Sequence, residues 1–276
     1  MIRRIPVGRL TALLALVAGA WAITRGERGP AWRSLAPGVE FTTLRGEPFC
    51  RSGPAGIGVL RLDPARVRIR VRHYTQEPDA RPLGIVEWQK RTSAIAVFNA
   101  GQYYPDLSYM GLLVAGGRTI SRRIHPDFKA ALVADPVAGG RNARVLDLDR
   151  DPLDPRRPAW REVAQSFMLF DADGAVRVRK SDRIANRTVV AQDQAGRLVV
   201  ITSEGAYTLR DFAEVLKRAP LRLTLAMSMD GGHEAEMCIK SGKFQWASFG
   251  RWEKNSQTAS IGSLVPLPAV IEVRAE

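Results

Sequence analysis

Three short polar segments carry the side chains best suited to chemistry. The first is Phe98-Asn99-Ala100-Gly101-Gln102-Tyr103-Tyr104 and the second Asn186-Arg187-Thr188. The third is Ser228-Met229-Asp230-Gly231-Gly232-His233-Glu234, with Glu236 close behind. A guanidinium meets two phosphate oxygens in a rigid fork, so Arg187 suits a phosphate group, and Thr188 adds a hydroxyl donor. Asp230 is the leading carboxylate for nucleophilic attack or proton transfer. Glu234 is next, with Glu236 expected on the same strand face. His233 can give or take a proton. Asn99 can hydrogen-bond a polar ligand, and Tyr103 or Tyr104 can stack on a ring. Gly101, Gly231 and Gly232 let a ligand come close to the backbone. Taken singly, each segment also answers an ordinary need: Asp-Gly-Gly after a strand makes a turn, and Asn before small residues accommodates positive φ.

Other chemistries find no support. The chain has no G-x-S-x-G elbow, no P-loop and no G-x-G-x-x-G. His233-Glu234-Ala235-Glu236-Met237 misses the H-E-x-x-H zinc pattern at its fifth position, and on a strand those two positions lie too far apart for one metal. No cofactor is expected. A hard divalent cation could sit on Asp230 and Glu234 with carbonyl or phosphate oxygens, but no ligand spacing demands one.

The three segments fall at the ends of short strands. Residues 57–62 and 67–73 flank Asp63-Pro64 and read as a hairpin, with Val67, Ile69 and Val71 on one face and Arg66, Arg68, Arg70 and Arg72 on the other. A helix is expected over 84–91, then a buried strand over 94–98. Gly116-Gly117 joins 112–115 to 118–121, Asp173-Gly174 joins 166–170 to 175–178, and Ala195-Gly196 joins 189–192 to 198–202. Further strands read at 130–134 and 145–148, before an exposed, Pro-rich loop over 149–158. Thr208 caps a helix through Arg218, with Asp211 at the capping-box position and Pro220 as its stop. Strands at 223–229, 235–239 and 269–274 finish the chain. The expected fold is α+β: a single domain on a mixed, mostly antiparallel β-sheet with about two or three helices.

Composition sets the compartment and the partners. The 276 residues are 45% apolar and 25% charged, enough for one full core. The net charge is +13, and 34 of the 41 cations are Arg, dispersed without a run or an aromatic-interleaved stripe. No nucleic-acid partner is expected from that pattern. Arg3, Arg4 and Arg9 precede the apolar run 11–23, which ends in Ala20-Trp21-Ala22. Residues 1–22 therefore read as a signal peptide or, if uncleaved, as a short anchor and the sole membrane contact. Residues 23–37 read as a linker and 38–276 as a domain working in the periplasm or outside the cell. In an oxidising compartment Cys50 and Cys238 can pair or remain two separate buried thiols.

Taken together, VFNAGQYYPD, GLLVAGGRT, NRTVVAQDQAGRLVVITSEGAYTLRDFAEVL and LAMSMDGGHEAEM resemble the phosphodiester glycosidase domain. That family includes the uncovering enzyme, which removes N-acetylglucosamine from its phosphodiester with mannose, and secreted or envelope bacterial members, some associated with exopolysaccharide biosynthesis. The resemblance runs from about Gly38 to the C-terminus. It places the family's N-G-G segment on Asn99-Ala100-Gly101, its Arg-Thr/Ser segment on Arg187-Thr188, and its D-G-G-G-S segment on Asp230-Gly231-Gly232-His233-Glu234. Ala100 stands for a Gly, Gln102-Tyr103 for a pair of aromatics, and His233-Glu234 for Gly-Ser. The resemblance implies an exported hydrolase acting on a sugar-1-phosphodiester in a phosphorylated glycan or polysaccharide. The rival reading is a non-catalytic envelope module that binds anionic polysaccharide through its basic surface.

Overall fold

Period-two alternation of apolar residues governs most of the chain. The computed structural model describes residues 29–140, 142–252 and 265–276, and the signal peptide or anchor read over 1–22 lies outside them. The described chain opens with strands β1 (Arg33–Ala36), β2 (Val39–Arg45), β3 (Gly56–Leu62) and β4 (Val67–His73). Helix α1 (Ile85–Thr92) leads into β5 (Ala96–Asn99), β6 (Leu112–Ala115), β7 (Arg118–Arg122), β8 (Ala130–Pro136), β9 (Ala143–Asp147) and the long β10 (Trp160–Phe170). Then come β11 (Thr188–Asp193), β12 (Leu198–Ser203), helix α2 (Leu209–Arg218) and β13 (Leu223–Ser228). β14 (Met237–Ser241), β15 (Phe244–Ser248) and β16 (Ala269–Ala275) close it.

The strands form two sheets. The larger runs β1-β2-β3-β12-β11-β13-β10-β6-β7, with β8 pairing β10 and β9 pairing β8; the smaller runs β15-β14-β5-β16-β4. Every described strand pair is antiparallel. The fold is therefore mainly β rather than α+β on a mixed sheet, and the described residues include two α-helices. The main core lies where inward residues of both sheets meet, including Leu60, Val71, Phe98, Val190, Met227 and Ile271. Helix α2 covers the other face of the larger sheet, laying Phe212, Ala213 and Leu216 against Val59, Val189 and Ile201. Helix α1 covers the smaller sheet, with Ile85 and Trp88 against Val97 and Val270. Each such fully buried side chain contributes about 1.5–3 kcal/mol. Thr208 caps α2 by accepting from Asp211 N–H at 3.0 Å, and the Asp211 carboxylate accepts from Arg51 at 2.8 Å.

Several expectations need correction. Strands β3 and β4 do not form a hairpin: β3 pairs with β2 and β12, whereas β4 pairs with β16 along its whole length, from Ala269 opposite His73 to Ala275 opposite Val67. The turn at Asp63 instead carries the chain from one sheet to the other, so that Val67, Ile69 and Val71 face the shared core. The strand read at 166–170 begins at Trp160, and its return arm makes one bridge, Phe170 to Val176. The strand read at 235–239 begins at Met237, because residues Gly232–Glu234 form a single 3-10 turn. β1 lies inside the stretch read as a linker and pairs with β2. Cys50 and Cys238 are two separate, half-buried thiols.

Candidate active site

Strands β11 and β13 place Val189 opposite Ser228, so the start of one and the end of the other lie side by side. The backbone extends that pairing beyond the strands. Met229 N–H donates to the Thr188 carbonyl at 2.9 Å and Gly232 N–H to the Asn186 carbonyl at 3.0 Å. Strand β5 brings Asn99 from the smaller sheet. Its amide nitrogen donates to the carbonyls of Ala100 and Asp230, both at 3.0 Å, while its oxygen accepts from Glu236 N–H at 3.2 Å. Asp230 N–H in turn donates to the Ala100 carbonyl at 3.1 Å. Three segments distant in sequence thus converge where the two sheets meet.

Arg187 is only 7% exposed. Its Nε donates to the Tyr207 carbonyl and its Nη2 to the Arg183 carbonyl, both at 2.9 Å, so backbone on two sides fixes the plane of the guanidinium. The third nitrogen, Nη1, lies over Gly231. A methyl group there would stand 3.1 Å from Nη1 and 2.9 Å from the Asn186 carbonyl. Close approach is what requires glycine at 231, while at Gly232 the reason is a φ of +75°. Asp230 Oδ1 accepts from Gly231 N–H at 2.9 Å. Arg187 and Asp230 line one cleft of about 190 Å³, with Gln102, Phe167, Arg179 and Arg183 among its other walls.

The remaining expected residues do not line this cleft. Thr188 is fully buried, and its hydroxyl has no hydrogen-bond partner among the described residues. Asn99 is 1% exposed with its amide committed to backbone. Gly101 is where Tyr109 packs, since a side chain there would strike the Tyr109 hydroxyl. The Tyr103 hydroxyl bonds both ways with Ala269, 3.1 Å to its carbonyl and 3.1 Å from its N–H, and its ring stands edge-on to Tyr109. Burial, then the Tyr109 hydroxyl and the carboxylates of Asp230 and Glu234, hold the Tyr103 hydroxyl well above the usual phenol range. Tyr103 is therefore held by backbone and by a neighbouring ring and does not line the Asp230 cleft. His233 and Glu234 sit half-buried on the 3-10 turn after Asp230. Glu236 is 1% exposed and does not share a strand face with Glu234.

Two cleft residues escaped the sequence reading. Arg179 and Arg183 precede Arg187 at intervals of four, yet they lie on irregular chain, where that spacing implies no shared face. Their charge density was the available sign. Gln102 is held by its Nε2 donating to the Met229 carbonyl at 3.2 Å, and the Ser166 hydroxyl sits 3.0 Å from its oxygen. Among the described residues no group of three or more His, Cys, Asp or Glu is placed to hold a metal.

The two-sheet antiparallel fold thus gathers guanidinium groups and a carboxylate in one cleft. Residues 92–265 match the phosphodiester glycosidase family, and the chain belongs to that family. The catalytic domain of zebrafish N-acetylglucosamine-1-phosphodiester alpha-N-acetylglucosaminidase, auto-inhibited by its pro-peptide, is similar in structure, with a TM-score of 0.62 and 17% identity over 90% of this chain and 87% of that one. A hypothetical protein from Synechocystis gives a TM-score of 0.60 and 11% identity over 90% and 64% of the two chains. A protein of Burkholderia pseudomallei K96243, described as exported, gives 0.51 and 13% over 84% and 76%. At these identities the likeness is one of fold. No curated protein matches the chain. Among the described residues no helix is long and apolar enough to cross a membrane.

Proposed function

We propose that this protein is an exported hydrolase that cleaves the bond between an anomeric carbon and a phosphodiester oxygen in an envelope or exopolysaccharide glycoconjugate. The observation that carries this reading is the shared cleft of Arg187 and Asp230, with Arg179 and Arg183 beside them. A phosphodiester carries one negative charge, and the departing phosphomonoester acquires a second as the bond breaks. The Arg187 guanidinium, already fixed by two backbone carbonyls, therefore stabilises the transition state more than the bound substrate. Such a leaving group is a weak base and needs little protonation. The greater demand falls on the carbon, where Asp230 activates water or attacks directly. Water supplies the new hydroxyl on the sugar, and the phosphomonoester keeps the bridging oxygen. Glu234 and His233, on the turn that follows, adjust the charge and proton state around Asp230. Asn99 sets its backbone, and Gln102 and Ser228 contribute cleft wall.

The test is to incubate purified protein with a panel of sugar-1-phosphodiesters and measure freed reducing ends. Expected are release by the wild type and its collapse in Asp230→Asn. Wild-type protein that binds anionic polysaccharide in a salt-sensitive manner, yet frees no sugar from any member, would establish the non-catalytic module instead.

A further inference from the structure

A second cleft, of about 410 Å³, shares a loop with the first. Residues 102–110 fold back on themselves, Met110 N–H donating to the Gln102 carbonyl at 3.0 Å and Tyr104 N–H to the Ser108 carbonyl at 2.9 Å. Gln102 at the base of this loop lines the Asp230 cleft, while Asp106, Ser108 and Tyr109 line the second. Strand β7 supplies Arg118, Thr119 and Ser121, and β4 supplies His73.

His73 is the most informative of these residues. It is 4% exposed. Its Nδ1 accepts from Thr75 N–H at 3.4 Å and lies 2.8 Å from the Thr75 hydroxyl, which anchors the ring at the cleft wall. Burial, then the charge of Arg118, hold the ring down to about 4, so it remains neutral at ordinary pH. Arg118 is exposed and forms no ion pair with a described carboxylate. Arg123 donates to the Tyr104 hydroxyl at 2.8 Å, its guanidinium 5.1 Å from the centre of that ring. Asp106, the one acid on the lining, already accepts from the N–H and hydroxyl of Ser108 at 2.9 and 2.6 Å.

Two guanidinium groups against one carboxylate, with hydroxyl groups, tyrosine rings and a neutral imidazole on the same lining, together match a hydroxylated anion. We propose that this cleft binds an anionic sugar unit, bearing a phosphate or a carboxylate, within a glycan chain. The binding site stands on its own geometry. That the same chain also reaches the Asp230 cleft rests on the glycosidase reading and on the shared 102–110 loop.

Calorimetric titration of the full chain, and of Arg118→Ala and Asp230→Asn, with four probes tests this. The probes are hexagalacturonate, a phosphorylated mannose hexamer, neutral maltohexaose and hexaglutamate. At least one anionic sugar should bind the wild type and Asp230→Asn equally, and bind Arg118→Ala about tenfold more weakly, as loss of one charge-assisted contact predicts. Whichever anionic sugar binds identifies the charged group. Turnover of a short sugar-1-phosphodiester by Arg118→Ala should equal that of wild type. If the sugar binds as expected but no diester is hydrolysed, the glycosidase reading fails and this site stands. Hexaglutamate binding as tightly as either sugar would point to an acidic peptide along the β7 edge and overturn the proposal. Absence of binding by both anionic sugars, or binding indifferent to Arg118→Ala, would overturn it equally.

Discussion

Arg187 and Glu162 are both nearly buried, and each clamps backbone from separate segments, but with opposite polarity. The Arg187 guanidinium donates to the carbonyls of Tyr207 and Arg183 at the cleft it shares with Asp230. The Glu162 carboxylate, 3% exposed, accepts from Val71 N–H at 2.9 Å and Gly116 N–H at 3.1 Å, tying β4 to the hairpin that carries β7 and the second cleft. Both groups give up hydration and recover it through backbone dipoles. They differ in what pH does to them. A guanidinium keeps its charge at any working pH. Burial pushes the Glu162 carboxyl up to about 7, against the opposing pull of the Gly116 and Val71 N–H bonds. Arg187 therefore holds a permanent charge, whereas Glu162 is a brace that titrates near neutrality.

The sharpest way to break the comparison is at the acid facing Arg187. Asp230→Asn should lower kcat/KM on a cleaved sugar-1-phosphodiester by about 10⁴-fold while leaving thermal unfolding unchanged, since the loss is one of chemistry. Arg187→Ala should cost about 10³-fold in kcat/KM and, unlike Asp230→Asn, also lower stability by ~2–3 kcal/mol, because the Tyr207 and Arg183 carbonyls lose their donor. Denaturant titration of both variants beside the kinetics separates the two effects; equal stability would show that Arg187 is not the clamp described.

Glu162 tests the other side. Its pKa of about 7 in the fold exceeds the ordinary carboxyl value, so the folded protein binds more protons than the unfolded chain between the two. Stability is then greatest below about pH 4.5 as far as this group is concerned, and falls by up to about 3 kcal/mol as pH rises through 7. Oε2 accepts from both Val71 and Gly116, so Glu162→Gln can keep those two bonds with its amide oxygen while losing the second Gly116 contact, 3.2 Å to Oε1. Urea unfolding of that variant from pH 5 to 8 should lack this part of the slope; an unaltered slope would remove Glu162 as its source. Asn99→Ala gives the smallest effect, about tenfold in kcat with KM little changed and ~2 kcal/mol of stability, through loss of its bonds to the Asp230 and Glu236 backbone.

Much of the local structure was legible beforehand. Gly116-Gly117 and Ala195-Gly196 turn hairpins where expected, with positive φ at Gly116, Gly117 and Gly196, and the Thr208 helix begins and ends as read. Local chemistry decides such features, because a turn or a cap needs only its own few residues. The three polar segments were legible as well, as residue types at strand ends. Their division of labour was not. Nothing in Asn99-Ala100-Gly101 distinguishes an amide that meets a ligand from one that holds Asp230 by its backbone, nor a glycine that admits substrate from one that admits Tyr109.

The sequence by itself determined where strands and turns fall, which faces are apolar, and that a guanidinium and an acid stand at strand ends. Only the tertiary structure decided that β4 crosses to the second sheet to pair with β16, that Arg179 and Arg183 join Arg187, and that Thr188 and Glu236 face inward. The reason is the range over which each choice is made. Alternation specifies a strand's two faces, but its neighbour is chosen by complementary surfaces far along the chain, and a side chain's partners follow from that choice.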